Sequence, residues 1–235
     1  MSRVFATWRD PYNEGFSTCR KRKIEILPGI TVLVGCNGAG KSTLLHNIES
    51  ELKKDKIPYF QHNNESNGKS NLISGAVLDG DFGLVATSVC SSEGENISYR
   101  LGQIASRLKK FIETGDCKNR WDRLSNTMKK LVNDDYKEDE NEMLNERWIL
   151  LDAMDSGFSI DNVIEMKDLF ELVCNYAKSI GIEVYVVISA NEFELARNMQ
   201  CFDVMAGKYV WFGEDYEKFR EFIIKSREKK DKRYK

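Results

Sequence analysis

Two short stretches carry the residues best suited to chemistry. "GCNGAGKS", Gly35 to Ser42, has the spacing G-x-x-x-x-G-K-[ST]. Glycines let a backbone wrap closely around phosphate oxygens with its N–H groups turned inward. A helix starting at the lysine adds its positive end. In such a loop Lys41 reaches the β- and γ-phosphates of a nucleotide, and the Ser42 hydroxyl holds Mg2+ with Thr43 beside it. The phosphates would lie against Gly35, Asn37, Gly38, Ala39, Gly40, Lys41, Ser42 and Thr43. The second stretch is "ILLDAMDSGFS", Ile149 to Ser159, in which three apolar residues run into Asp152 and a turn-like DSG follows. A buried strand delivers a carboxylate to a nucleotide-bound Mg2+ in this way, commonly through a water. Asp155 follows three residues later.

The spacing of apolar residues shows what must position these groups. Ile30 to Gly35 is a β-branched apolar run of the buried-strand kind, and Leu44, Leu45, Ile48 and Leu52 follow at helical spacing. Trp148 to Leu151 and Glu183 to Ser189 read as two more buried strands, with a helix over Val163 to Ser179 between them. "SSEGENISYRLGQIASRLKKFIE" opens a long amphipathic helix with Ile97, Leu101, Ile104, Leu108 and Phe111 on one face. "CFDVMAGKYVWFG" predicts a hairpin turned at Ala206-Gly207, and Asp215 to Lys230 a closing helix. Val4 to Trp8, the looser alternation of Phe16 to Leu27, "IPYF" and Val85 to Cys90 are weaker strand signals. Apolar strands alternating with helices predict an α/β fold with a mostly parallel, covered sheet.

The length of 235 residues suits one sizeable domain. A formal net charge of −2 gives no support for non-specific nucleic-acid binding. "RKRK" at Arg20 to Lys23 and the C-terminal "KSREKKDKRYK" are basic, and Asp134 to Glu146 is acidic. These read as solvated faces and a frayed tail, a nucleic-acid contact of the tail being the alternative. Six scattered cysteines without C-x-x-C, and only His46 and His62, argue against structural zinc and for reduced thiols in the cytoplasm. Cys36, inside the loop motif, reads as a tolerated small residue. The chain opens on no signal-peptide pattern, and no apolar run nears the about 18 residues of a membrane span.

"LPGITVLVGCNGAGKSTLL" resembles the first half of an ABC-type ATPase head, with Asn37 and Gly38 at the N-G positions of that family's loop. The likeness is closer to soluble SMC-like and recombination-repair heads than to transporter domains, here as a small member without a coiled-coil insertion. It covers most of the chain, leaving out about residues 115 to 146. "CSSEGEN" resembles the family's signature motif. The resemblance then gives Ser92, Gly94 and Glu95 a contact with the γ-phosphate held by a second subunit. The plainer reading makes Ser91 or Ser92 a helix N-cap with Glu95 completing a capping box. "LLDAMDSGFS" resembles the family's acidic strand and the loop after it, with Asp152 on the Mg2+ side. The family's catalytic glutamate position is Ala153, and its switch histidine position is Asn191, which cannot change charge. Gln61 resembles a glutamine that binds Mg2+. Trp8 or Tyr12 would stack on adenine, or simply pack.

The resemblance implies a P-loop ABC-type ATPase head: a mostly parallel core sheet flanked by helices, an N-terminal antiparallel β region and a small helical lobe. Residues 1–235 form one domain, with about 91–146 the signature helix and acidic lobe. ATP and Mg2+ are the implied cofactors, and a homodimer sandwiching ATP the implied assembly. A protein partner and a role in DNA metabolism or a bacterial or phage conflict system follow by analogy; no membrane association does. Loss of the glutamate slows hydrolysis without spoiling binding. Either Asp155, with Asn191 beside the attacking water, supplies the chemistry, or the partner subunit does, or the head is an ATP-gated clamp. Two other classes remain. A P-loop kinase of a nucleotide or small molecule would use Arg120, Arg123 and Arg147 as a lid. A scaffold would bind nucleotide without turnover.

Overall fold

The computed structural model describes residues 2–7, 21–63, 93–115, 145–155 and 158–232. Its centre is a six-stranded sheet in which period-two alternation buries both faces. In chain order the elements open with β1 (Arg3–Ala6), β2 (Lys23–Ile26), β3 (Gly29–Val34), α1 (Lys41–Lys54) and β4 (Tyr59–Asn63). Then come α2 (Glu93–Thr114), β5 (Glu146–Asp152), α3 (Ile160–Ser179), β6 (Glu183–Ser189) and the short α4 (Phe193–Ala196). The hairpin β7 (Cys201–Asp203) and β8 (Lys208–Val210) and the helix α5 (Tyr216–Asp231) close the chain. The large sheet has the order β4-β5-β6-β3-β7-β8. All its neighbours are parallel except β7 and β8.

On one face Val32, Val34, Ile149, Leu151, Val186 and Ile188 pack with Leu108 and Phe111 of α2 and Met166 and Phe170 of α3. On the other, Leu33, Trp148, Leu150, Tyr185 and Val187 meet Leu44, Leu45, Ile48 and Leu52 of α1. The antiparallel pair β1–β2 closes this second face with Phe5, Ile24 and Ile26. In-register Trp148 and Tyr185 stack at 4.1 Å, and Phe5 meets the indole edge-on at 5.1 Å. Each such side chain contributes about 1.5–3 kcal/mol by leaving water.

The mixed α/β class, the parallel-rich sheet, the flanking helices and the N-terminal antiparallel pair agree with the sequence expectation. Two local departures stand out. Asp152 is the last residue of β5 rather than the first beyond it. The closing helix forms as expected and runs to Asp231, but Ser226, in the basic stretch that reads as a solvated face, is buried. The expected strand at Val85 to Cys90, nearly all of the acidic lobe, Trp8 and Tyr12 lie outside the described residues.

Candidate nucleotide site

Because β3, β5 and β6 run parallel, their carboxyl ends share one edge of the sheet, where ligands of open α/β sheets bind. The loop of residues 35–40 leaves β3 at that edge. Gly35 has no room for a side chain, since a Cβ there would stand 2.9 Å from that of Ala39. Gly38 lies at φ +76°, a conformation glycine adopts without strain. Lys41 opens α1 and is buried, and its Nζ donates to the Gly35 carbonyl at 2.9 Å. Burial holds this ammonium below the ordinary lysine range. Asp155 pulls hardest in the opposite direction, with Cys36 and Asp152 following.

The N-terminus of α1 differs from those of the other long helices whose caps are described. Ser159 caps α3, accepting from the Asn162 N–H at 3.4 Å, and Asp215 caps α5, accepting from the Lys218 N–H at 2.9 Å. α1 has no side-chain cap and no acidic residue in its first turn. Its leading N–H groups and positive dipole end are therefore offered outward, as an anion requires. Ser42 is exposed, Thr43 half-buried, and Asn37 and Gly38 are exposed on the loop.

Across the edge, Asp152 is held by Ser189, the terminal residue of β6. The Ser189 hydroxyl donates to Asp152 Oδ1 at 2.5 Å and accepts the Ala153 N–H at 2.8 Å. Ala153 sits at φ +52°, a left-handed backbone that costs a residue with a Cβ about 1–2 kcal/mol. The position where the family carries its glutamate is thus a buried, strained turn tied to the next strand. Ser189 was not singled out in the sequence. Its signal was a polar residue ending an apolar strand, parallel to one that ends in aspartate.

Asp155 is 3% exposed. Its Oδ2 accepts from the N–H of Asn191 at 2.5 Å and of Glu192 at 2.7 Å. Its Oδ1 is buried with no hydrogen-bond partner among the described residues. Asn191 contributes its backbone to this link, and its side chain is exposed. Behind it, Lys167 Nζ donates to the carbonyls of Glu194 and Arg197 at 3.0 and 2.7 Å, fixing the C-terminal end of α4.

The remaining expectations fall elsewhere. Gln61 is exposed on the edge strand β4, opposite Leu150, while Asn63 is the residue level with Asp152. Gly94 and Glu95 lie in the first turn of α2, and Ser92 is outside the described residues. Cys36 is buried with Ala39 and Met205, a poor position for thiol reagents. No cluster of three or more His, Cys, Asp or Glu side chains suits a metal among the described residues. Nor is any helix there long and apolar enough to cross a membrane.

Strand, glycine loop and uncapped helix, faced by a carboxylate on a parallel strand, make this a P-loop α/β domain. No family model matches the chain, and neither does any curated protein. A solved ATP-binding cassette of an ABC transporter, in its ADP conformation, aligns over 96% of this chain and 97% of its own at 12% identity, with a TM-score of 0.47. The structure of cbiO1 from Clostridium perfringens, part of the ABC transporter complex cbiONQ, aligns over 94% and 91% at 16% identity, with a TM-score of 0.42.

Proposed function

We propose that the chain is a magnesium-dependent ATP-binding head of the ABC type that pairs with a second copy around two nucleotides and hydrolyses ATP slowly. The observation that carries this is the meeting at one sheet edge of Lys41, an uncapped α1 and the Ser189-braced Asp152.

The residues suit the ligand. A buried ammonium resting on a backbone carbonyl is available to phosphate oxygens, and Gly35 to Thr43 would line the β- and γ-phosphates. Ser42 and Asp152 would hold the ion, in keeping with the one or two protein oxygens magnesium commonly takes beside phosphate and water. Bound there, Mg2+ supplies neutralisation of charge on the transferred phosphoryl group. Oδ1 of Asp155, which has no hydrogen-bond partner among the described residues, is the carboxylate oxygen we assign to the attacking water, with Asn191 beside it. Half of that carboxylate is committed to two backbone amides, and the glutamate position is Ala153. A general base contributes typically 10²–10⁴-fold, so turnover is slow while binding is intact.

Ser92, Gly94 and Glu95 of one copy would face Lys41 of the other. Ile160 and Ile164, one turn apart and exposed at the start of α3, offer an apolar surface of the kind a closing partner covers. The hairpin β7–β8, seated beside β3, belongs to this reading and has no role in a small-molecule kinase. Membership among soluble SMC-like heads, one domain over residues 1–235, a protein partner, and work in DNA metabolism or a conflict system rest on the sequence resemblance. A cytoplasmic site draws support from the dispersed thiols, of which Cys36, Cys174 and Cys201 are free.

Light scattering at micromolar protein tests the assembly. Addition of ATP and Mg2+ is expected to convert monomer to dimer, most completely in Asp155→Asn. A monomer under those conditions in both proteins would sink the sandwich.

A further inference from the structure

The C-terminal helix is the least expected neighbour of the phosphate loop. Phe219, Ile223, Ser226 and Lys230 recur at helical spacing and give α5 one continuous face. Phe219 packs on Phe212 and Phe193, at ring separations of 5.2 and 5.5 Å. Ile223 touches the cluster of Cys36, Ala39 and Met205. Ser226 is buried, and its hydroxyl accepts the Cys36 N–H at 3.1 Å and donates to Met205 Sδ at 3.3 Å. Met205 is held there by a turn in which Asp203 Oδ1 accepts its N–H at 3.0 Å. One turn beyond Ser226, Lys230 Nζ donates to the Asn37 carbonyl at 3.1 Å.

Peptide units are planar and trans, so a unit's C=O and N–H point in opposite directions. In the Gly35–Cys36 unit the N–H points to Ser226 on α5, and the carbonyl points away, to Lys41 Nζ. In the Asn37–Gly38 unit the carbonyl points to the Lys230 ammonium of α5, so the Gly38 N–H points away from that ammonium.

We propose that α5 sets these two peptide planes and that Lys230 is a positioning residue for phosphate binding, holding the Gly38 N–H toward the nucleotide. Ser226 does the matching work for the Gly35 carbonyl, keeping the Lys41 ammonium parked at the loop until phosphate displaces it. The inference rests on the nucleotide-binding reading of this loop and adds to it a residue 193 positions downstream of Asn37.

The test is nucleotide affinity of the full chain, by titration of fluorescent ATP and ADP analogues with Mg2+. It compares wild type, Lys230→Ala, Lys230→Arg and Ser226→Ala. Lys230→Ala is expected to weaken both nucleotides about five- to twentyfold, as loss of one charge-assisted hydrogen bond does. Lys230→Arg, which can reach the same carbonyl, should return to within about threefold of wild type. The Gly38 amide resonance should move downfield on ATP addition in wild type and much less in Lys230→Ala, whose Tm stays within about 2 °C of wild type. Unchanged affinity in Lys230→Ala overturns the proposal. So does a loss that Lys230→Arg does not rescue, with the Gly38 shift as in wild type. Wild-type protein that binds neither nucleotide overturns the underlying reading instead.

Discussion

Asp155 is bound to Asn191 through the backbone: the Asn191 N–H donates to Asp155 Oδ2 at 2.5 Å, and the Glu192 N–H adds a second bond at 2.7 Å. The turn after β5 is therefore coupled to the turn after β6. A carboxylate that braces one turn also leaves one oxygen buried and unpartnered among the described residues.

This dual use makes the Asp155 variants separable. Asp155→Ala leaves two N–H groups without their acceptor and is expected to cost about 1–3 kcal/mol in denaturant unfolding. Asp155→Asn keeps an acceptor and loses the charge. Its ATP turnover should fall about 100-fold while ATP affinity changes little. Equal turnover in wild type and Asp155→Asn would remove Asp155 from the chemistry.

Ser189→Ala takes the donor from Asp152 and the acceptor from the buried Ala153 N–H. We expect about 1–3 kcal/mol of lost stability. The Mg2+ concentration for half-maximal ATP binding should rise about tenfold, as when a ligand's supporting hydrogen bond is removed. A Mg2+ dependence matching wild type would show that Asp152 needs no orienting partner.

Lys41 gives a pH signature. Burial lowers its pKa in the folded chain below the ordinary 10.5 of the unfolded one, against the pull of Asp155, Cys36 and Asp152. Between the two values the unfolded chain binds more protons, so this group's contribution to stability rises with pH there and is least favourable below both. The stability difference between wild type and Lys41→Met, followed by urea unfolding from neutral pH toward pH 10, should shift in favour of wild type as pH rises. A pH-independent difference would contradict the buried ammonium. Using a difference matters, because the raised thiols of Cys174, at about 11, and Cys201, at about 12, act in the opposite sense in alkali.

Much of this fold was legible because its signals are local. The β-branched run of β3, the 3.6-residue spacing of Leu44, Leu45, Ile48 and Leu52, and the Ala206-Gly207 turn each depend on near neighbours in sequence. The loop motif was equally plain, since its geometry is written in consecutive residues. The bracing contacts were not. Ser189 meets Asp152 only because β6 lies beside β5 in parallel register. Asp155 finds Asn191 across 36 residues by the same pairing. The helix α5 was itself legible as far as Lys230, but its contact with the loop was not: lysines and arginines surround Ser226, and their charge reads as a solvated face. The face running through Phe219, Ile223, Ser226 and Lys230 shows only when helical periodicity is followed to the end of the helix. Ala153 raised the right question for a chemical reason, a missing carboxylate. The left-handed backbone that makes the position strained was not readable from its type.

The most direct test of the central claim is ATP binding with Mg2+, measured by equilibrium titration alongside phosphate release, for wild type, Lys41→Ala and Asp155→Ala. Wild type is expected to bind ATP and turn it over slowly. Lys41→Ala should lose binding by about 100-fold or more, its ammonium being the buried charge aimed at the phosphates. Asp155→Ala should bind ATP and release almost no phosphate. Wild-type protein that binds no ATP, or Lys41→Ala that binds it as well as wild type, would rule out a nucleotide site built on Lys41.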